Sequence, residues 1–170
     1  MTALQPEELF ACLGRHDVRY VLIGGLAGVL HGSPLPTIDA DVCPSRDRDN
    51  LHRLASALKE IDARIRTPDT PTGVLFPYEA EFLGRVELLN LTTRFGDLDL
   101  SFLPAGTTGY ADLVRSAESM TIRGVVVPVA SLEDVIRSKT AADRPKDHRT
   151  LPVLHQLLDE IRKRRVDPRR

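Results

Sequence analysis

Two glycines and two aspartates, in Gly24-Gly25 and Asp39-Ala40-Asp41, are the residues of this chain whose types and spacing most directly suggest chemistry. If Thr37 to Cys43 is a strand, Thr37, Asp39, Asp41 and Cys43 lie on one face, while Ile38, Ala40 and Val42 point toward a core. The two carboxylates then share a face with their Cα atoms about 6 to 7 Å apart. From there both side chains lean onto hard cations such as Mg²⁺, which take oxygen ligands and share their shell with phosphates. Where two such ions cooperate in phosphoryl chemistry they sit about 4 Å apart, and a carboxylate that reaches both is useful.

The residues before this strand supply a place for the phosphates. Val21-Leu22-Ile23 is a continuous apolar run, as a buried strand should be, and Gly24-Gly25 then lets the backbone turn with no Cβ in the way. A short helix over Leu26 to His31 would aim its free amides at whatever approaches that turn, an arrangement suited to anions. His31 reads as a residue at the helix C-terminus, stabilised by the helix dipole and not catalytic.

A third carboxylate is available in Phe95 to Phe102, where Leu98, Leu100 and Phe102 alternate onto one face and leave Asp97, Asp99 and Ser101 on the other. Alternation alone does not choose between Asp97 and Asp99. Further on, Ser131 followed three residues later by Asp134 is close to a capping box, so Asp134 reads as structural. The helix that follows carries an apolar stripe of Leu132, Val135, Ile136 and Ala142, and Lys139 falls on its inward side. Lysines are rarely buried unless paired, so an inward Lys139 belongs near a phosphate or a carboxylate cluster. Arg144 and Lys146 follow in a loop from which they could also reach phosphates.

Taken together, the diglycine turn, the T-x-D-x-D strand and the later L-D-L triplet resemble the nucleotidyltransferase fold shared with DNA polymerase beta. They are similar in particular to the stand-alone bacterial AbiEii-like and MenT-like toxin nucleotidyltransferases. Ser131 to Lys139 is similar to the D-x-x-x-x-K element of the AbiEii-like group, and Asp147 matches a further aspartate typical of it. The resemblance implies a two-metal Mg²⁺ site on Asp39, Asp41 and Asp99, with Asp99 chosen over Asp97 by its place before Leu100. It implies a catalytic set of these three with Lys139, and a nucleoside triphosphate bound by Gly24, Gly25, Thr37, Lys139, Arg144 and Lys146. The activity implied is transfer of a nucleoside monophosphate to an acceptor hydroxyl, first of all on RNA such as tRNA, by a toxin with a cognate antitoxin. The alternatives are a small-molecule acceptor of the aminoglycoside kind and a non-catalytic nucleotide-binding or antitoxin module. One departure bears on the last: Leu35 stands where many relatives have an arginine.

The elements that would position these residues follow from periodicity. An amphipathic helix is expected from Pro6 to about Arg15, then the two strands and the diglycine helix between them. A helix through Leu51, Leu54, Ala55, Leu58 and Ile61, capped by Asp47 or Asp49, comes next. Thr67 to Phe76, with Pro68, Pro71 and Gly73, reads as the main irregular loop. Strands over Val86 to Leu91 and Asp97 to Phe102, a helix over Tyr110 to Ala117, a strand over Val125 to Val129 and two C-terminal helices complete the chain. The expected class is α+β, a small mixed sheet flanked by helices, because the short link before Asp97 implies an antiparallel pair.

Residues 1–161 are expected to form a single domain, and 162–170 a disordered basic tail. That tail, RKRRVDPRR, holds six basic residues against one aspartate, a net of +5 on a chain of net charge −1. Such a tail could steer RNA toward the site. No stretch approaches the roughly 18 apolar residues of a membrane span, no signal segment is expected because the first residues lack a basic region followed by a hydrophobic run, and Cys12 and Cys43 have no metal or disulfide spacing. The expected location is cytoplasmic, with free thiols.

Overall fold

The computed structural model describes residues 2–166. In chain order the elements are α1 (Pro6–Arg15), β1 (Tyr20–Ile23), α2 (Gly24–Leu30), β2 (Asp39–Pro44), α3 (Arg48–Glu60), β3 (Arg64–Thr67) and β4 (Thr70–Val74). There follow α4 (Ala80–Leu83), β5 (Leu88–Thr93), β6 (Gly96–Ser101), α5 (Tyr110–Leu113), β7 (Glu118–Ile122), β8 (Val125–Val129), α6 (Leu132–Ala142) and α7 (Pro145–Val166). The strands form one mixed sheet in the order β4-β3-β5-β6-β2-β1-β8-β7.

Its centre positions the site. β1 and β2 are antiparallel, β2 and β6 are parallel, and β5 returns antiparallel to β6. The β5–β6 link is the expected short one, a turn at Arg94-Phe95 in which Thr93 pairs with Gly96. Alternation along β6 buries Leu98 and Leu100 completely, and β2 likewise buries Ala40 and Val42. These side chains join one continuous apolar cluster that runs from Leu9 on α1 to Leu158 on α7. Asp47 caps α3, its side chain accepting a hydrogen bond from the Asn50 amide, and Ser131 caps α6 by accepting from the Asp134 amide. On α7, Leu154 and Leu158 are buried, with Leu151, Leu157 and Ile161 half-buried beside them, as the spacing predicts.

Several expectations need correction. The segment from Thr67 to Phe76 is not an irregular loop: Thr70–Val74 is the edge strand of a hairpin with β3, turned at Pro68-Asp69. Pro71 is tolerated there because an edge strand needs no donor on its outer side. The helix expected to reach Ala117 stops at Leu113, and Glu118–Ile122 is a strand that pairs with β8 across a turn at Arg123-Gly124. Ile38 does not face the core but is 72% exposed, because the ladder begins only at Asp39 and no neighbouring strand enforces alternation before it. Helix α7 continues to Val166, so residues 162–166 of the expected disordered tail are helical; 167–170 lie outside the described residues. No helix among the described residues is long and apolar enough to cross a membrane.

Candidate active site

The parallel pairing of β2 with β6 puts Asp39 opposite Asp97 and Asp41 opposite Asp99. Directly paired residues share a face, and neighbouring strands lie about 4.8 Å apart. Four carboxylates therefore crowd one small patch of sheet. Asp41 and Asp99 feel it most: burial pushes both carboxyls up from 3.8 to about 6, and Asp39 adds to the rise in each. Asp99 is also opposed by Arg66, and Lys146 acts against the rise in both.

This patch is one wall of a cavity of about 610 Å³. Every residue that the sequence nominated lines it: Gly24 and Gly25, Thr37, Asp39, Asp41 and Asp99, Lys139, Arg144 and Lys146. Asp99 reaches the cavity whereas Asp97, only 9% exposed, is covered by its ion pair with Arg66. The Thr37 hydroxyl, just before β2, lies 3.1 Å from the Asp39 carboxylate and 3.2 Å from the Asp39 carbonyl, to which it can donate, and so orients that aspartate.

The diglycine turn is shaped around the carboxylates. Gly24 has φ +68°, and a Cβ there would lie 2.2 Å from an Asp41 carboxylate oxygen. Helix α2 starts at Gly24 with no side-chain cap, so its first amides remain available next to Asp41. Gly24→Ala is expected to cost about 1 to 2 kcal/mol from the left-handed backbone alone and to displace Asp41. The check is a urea melt together with Mn²⁺ titration; an unchanged midpoint and unchanged Mn²⁺ affinity would show that the turn does not depend on Gly24.

Helices α6 and α7 bring the cations. Lys139 reaches Asp147 at 3.2 Å, and the Arg144 Nε donates to the same carboxylate at 2.7 Å. Asp147 is fully buried and also accepts from the Arg144 amide at 3.3 Å. Burial works against its ionisation, yet the hydrogen bonds from Arg144 and Lys139 hold its carboxyl below the usual value. Asp134 adopts the capping position only in part: its amide bonds Ser131, but its carboxylate turns to Ser116 and to Arg137 at 2.8 Å. His31 closes α2 as expected, its ring nitrogen donating to the Ala130 carbonyl at 2.8 Å.

No family model and no curated protein matches this sequence. Solved structures do. The lincosamide antibiotic adenylyltransferase LnuA, in its lincomycin-bound form, superposes with a TM-score of 0.58 at 16% identity, over 92% of this chain and 99% of that one. ANT(2'')-Ia in complex with adenylyl-2''-tobramycin gives 0.55 at 14% identity, over 93% and 95%. The chain has the nucleotidyltransferase fold.

Within the nucleotidyltransferase fold of this chain, sequence reasoning missed Arg66. It stands on β3 and reaches across β5 to the carboxylates of β6, at 2.5 Å from Asp97 and 2.9 Å from Asp99. The signal for it in the sequence is the alternation of Arg64-Ile65-Arg66-Thr67, too short to read as a strand before Pro68 and the loop expected from Thr67. Outside this site, Cys12, His16 and Glu60 place one ligand atom each within 4.8 Å of one another, a proximity that the cysteine spacing did not reveal. Glu60 there is already paired with Arg15 and His16.

The donor set of the cavity fits a hard divalent cation. Three carboxylates face it from adjacent strands, their mutual repulsion on Asp41 is opposed only at a distance by Lys146 and Lys139, and neither a thiol nor an imidazole of the described residues lines it.

Proposed function

We propose that this chain is a magnesium-dependent nucleotidyltransferase that moves a nucleoside monophosphate from a nucleoside triphosphate to an acceptor hydroxyl. The observation that carries the reading is the convergence of Asp39, Asp41 and Asp99 with the Gly24-Gly25 turn and Lys139 on one cavity of about 610 Å³. Asp39, Asp41 and Asp99 would hold the metal, which when bound neutralises phosphate oxygens and acidifies the acceptor hydroxyl. The backbone of Gly24 and Gly25 receives the triphosphate, with Lys139, Arg144 and Lys146 balancing its charge. The acceptor oxygen attacks the α-phosphorus in line, its proton passes to a carboxylate of the cluster, and the bond to the pyrophosphate leaving group breaks. Positioning and electrostatics carry this chemistry, and no covalent enzyme intermediate is needed.

Leu35, in place of the arginine common among relatives, does not weigh toward an inert module. Arg66 and Arg144 both line the cavity and supply guanidinium groups from other elements. The adenylyl group named for both structural neighbours makes ATP the first donor to test.

Two acceptors have specific support. RNA, with the chain as an AbiEii-like or MenT-like toxin and a cognate antitoxin as partner, is supported by the motif resemblance and by the exposed basic residues 162–165 at the end of α7. These residues lie about 18 to 22 Å along the helix from Thr150 at the cavity, a span that a polynucleotide covers. A small hydroxylated molecule is supported by the lincosamide and tobramycin named for the neighbours.

The test is incubation of the protein and of its Asp39→Ala/Asp41→Ala variant with each α-³²P-labelled nucleoside triphosphate, Mg²⁺, and either total bacterial RNA or a set of aminoglycosides and lincosamides. The expected result is label transferred by the wild type alone. Label on a gel band of RNA selects the first acceptor and label on a chromatographed antibiotic the second. Nucleotide binding with no transfer to either would overturn the proposed activity.

A further inference from the structure

Arg66 has two features that a simple structural ion pair would not need. Its two terminal nitrogens are divided between two carboxylates, one at 2.5 Å from Asp97 and the other at 2.9 and 3.2 Å from the two oxygens of Asp99. The two acids are not equivalent: Asp97 lies under the guanidinium and does not line the cavity, whereas Asp99 lines it and belongs to the proposed metal set. The second feature is local. The β3–β4 register shifts between Ile65 and Thr67, where three residues of β4, 71–73, stand opposite the single Arg66, so the pairing beside this arginine is irregular and the surplus lies on the edge strand. The guanidinium reaches the cavity from a strand two places away in the sheet, with a third of its side chain still exposed.

We propose that Arg66 is a tethered counter-ion: it occupies Asp99 while the site holds no metal, yields that carboxylate to a divalent cation, and then offers its freed edge to a phosphate oxygen of the nucleotide. This rests on the proposed metal site. Asp97 is the tether, because its bond to the first nitrogen does not compete with any group in the cavity. A guanidinium and a divalent cation both seek the Asp99 oxygens, and a carboxylate that satisfies one forfeits charge-assisted bonding to the other. The released nitrogen keeps its position at the cavity wall and retains the planar fork suited to phosphate. Asp99 thus serves the metal, Asp97 serves the arginine, and the arginine passes from one partner to the next without leaving the site.

The proposal requires opposite effects on two ligands. Mn²⁺ binding is measured without nucleotide from the free-ion electron paramagnetic resonance signal, for the wild type, Arg66→Gln and Arg66→Lys. Binding of a non-hydrolysable ATP analogue is measured at saturating Mn²⁺. Arg66→Gln is expected to bind Mn²⁺ about ten-fold more tightly and the analogue several-fold more weakly, with Arg66→Lys between it and the wild type in both. Mn²⁺ affinity that is unchanged or weaker in Arg66→Gln, with the circular dichroism of the wild type retained, would make Arg66 a structural brace and overturn the proposal. Tighter Mn²⁺ with unchanged analogue affinity would overturn the phosphate role. Should Arg66→Gln fail to fold, Arg66→Lys decides alone, and wild-type affinities for both ligands in that variant count against the proposal. Absence of Mn²⁺ binding in all three proteins would overturn the metal site itself, a result distinct from equal binding in all three.

Discussion

Asp41→Asn is expected to abolish nucleotidyl transfer and, in the metal-free protein, to raise the unfolding temperature at neutral pH. The activity loss follows from removing one of the three charged ligands of the proposed metal site. The stability gain follows from the crowding of β2 against β6, where burial first and then Asp39 and Asp99 lift the Asp41 carboxyl from 3.8 to about 6. An acid whose folded value lies above its unfolded one binds its proton more tightly when folded. Its effect is to lower stability as pH rises from about 4 to about 6, and to leave it lowered above that. For one such group the cost of ionisation in the folded state is at most about 3 kcal/mol at neutral pH. The asparagine has no charge to lose, so its melting temperature should fall less between pH 5 and pH 7.5 than that of the wild type. Asp99, also lifted to about 6, leaves a residual slope in the variant. Thermal melts in chelator at the two pH values measure the difference, and saturating Mn²⁺ should reverse it by stabilising the wild type alone. A variant less stable than the wild type at pH 7.5 in chelator would show that the four carboxylates are not in net repulsion.

The second large effect is expected at Asp147. Its carboxylate is wholly buried and is shared by Lys139, itself only 13% exposed, and Arg144. Removing one partner of a buried pair leaves the other charge without compensation, at a cost of about 3 to 5 kcal/mol. That is a large part of the 5 to 15 kcal/mol typical of a whole domain. Arg144, half exposed, can turn to water, so the cost falls mainly on Lys139. Asp147→Ala is therefore expected to lower the urea midpoint sharply, and Lys139→Met added to it should restore part of the loss. A double variant no more stable than Asp147→Ala would mean that Asp147 serves chiefly the α7 N-terminus, through the Arg144 amide. For the wild type, the depressed Asp147 value predicts a contribution present at neutral pH and lost as pH falls below about 4.

What the sequence revealed, and what it hid, divides by the range of the interactions. The shared face of Asp39 and Asp41, and that of Asp97 and Asp99, was legible because strand alternation is local and Ala40, Val42, Leu98 and Leu100 declare the buried face, whereas the preference for Asp99 over Asp97 came from the family resemblance alone. Gly24 was legible because a turn next to a carboxylate excludes a Cβ. Lys139 was read correctly as inward-facing, and its carboxylate partner is Asp147, eight residues on. Arg66 was hidden twice: its strand is a four-residue run that ends against the expected loop, and its partners lie two strands away in the sheet. The β7–β8 hairpin had a usable signal in Arg123-Gly124, where both residues take positive φ between β-branched runs, but the preceding Tyr110 to Ala117 pattern drew the reading toward helix. Ile38 shows the converse, a hydrophobic residue whose side is not dictated because nothing pairs with it.

The two-residue turn at Arg94-Phe95 sets more than the end of a hairpin. The Thr93 hydroxyl bonds the Gly96 carbonyl at 2.7 Å and accepts from the Phe95 amide at 3.0 Å, which fixes the phase of β6 against β5 and, through β6, against β2. Because side chains on a strand repeat every second residue, insertion of a single residue here would exchange the faces of β6 without altering its composition. Leu98 and Leu100 would then look into the cavity, and Asp97 and Asp99 into the apolar core. The proposed site is in this sense a parity: an odd change in loop length would take the carboxylates out of the cavity and the leucines out of the core at once.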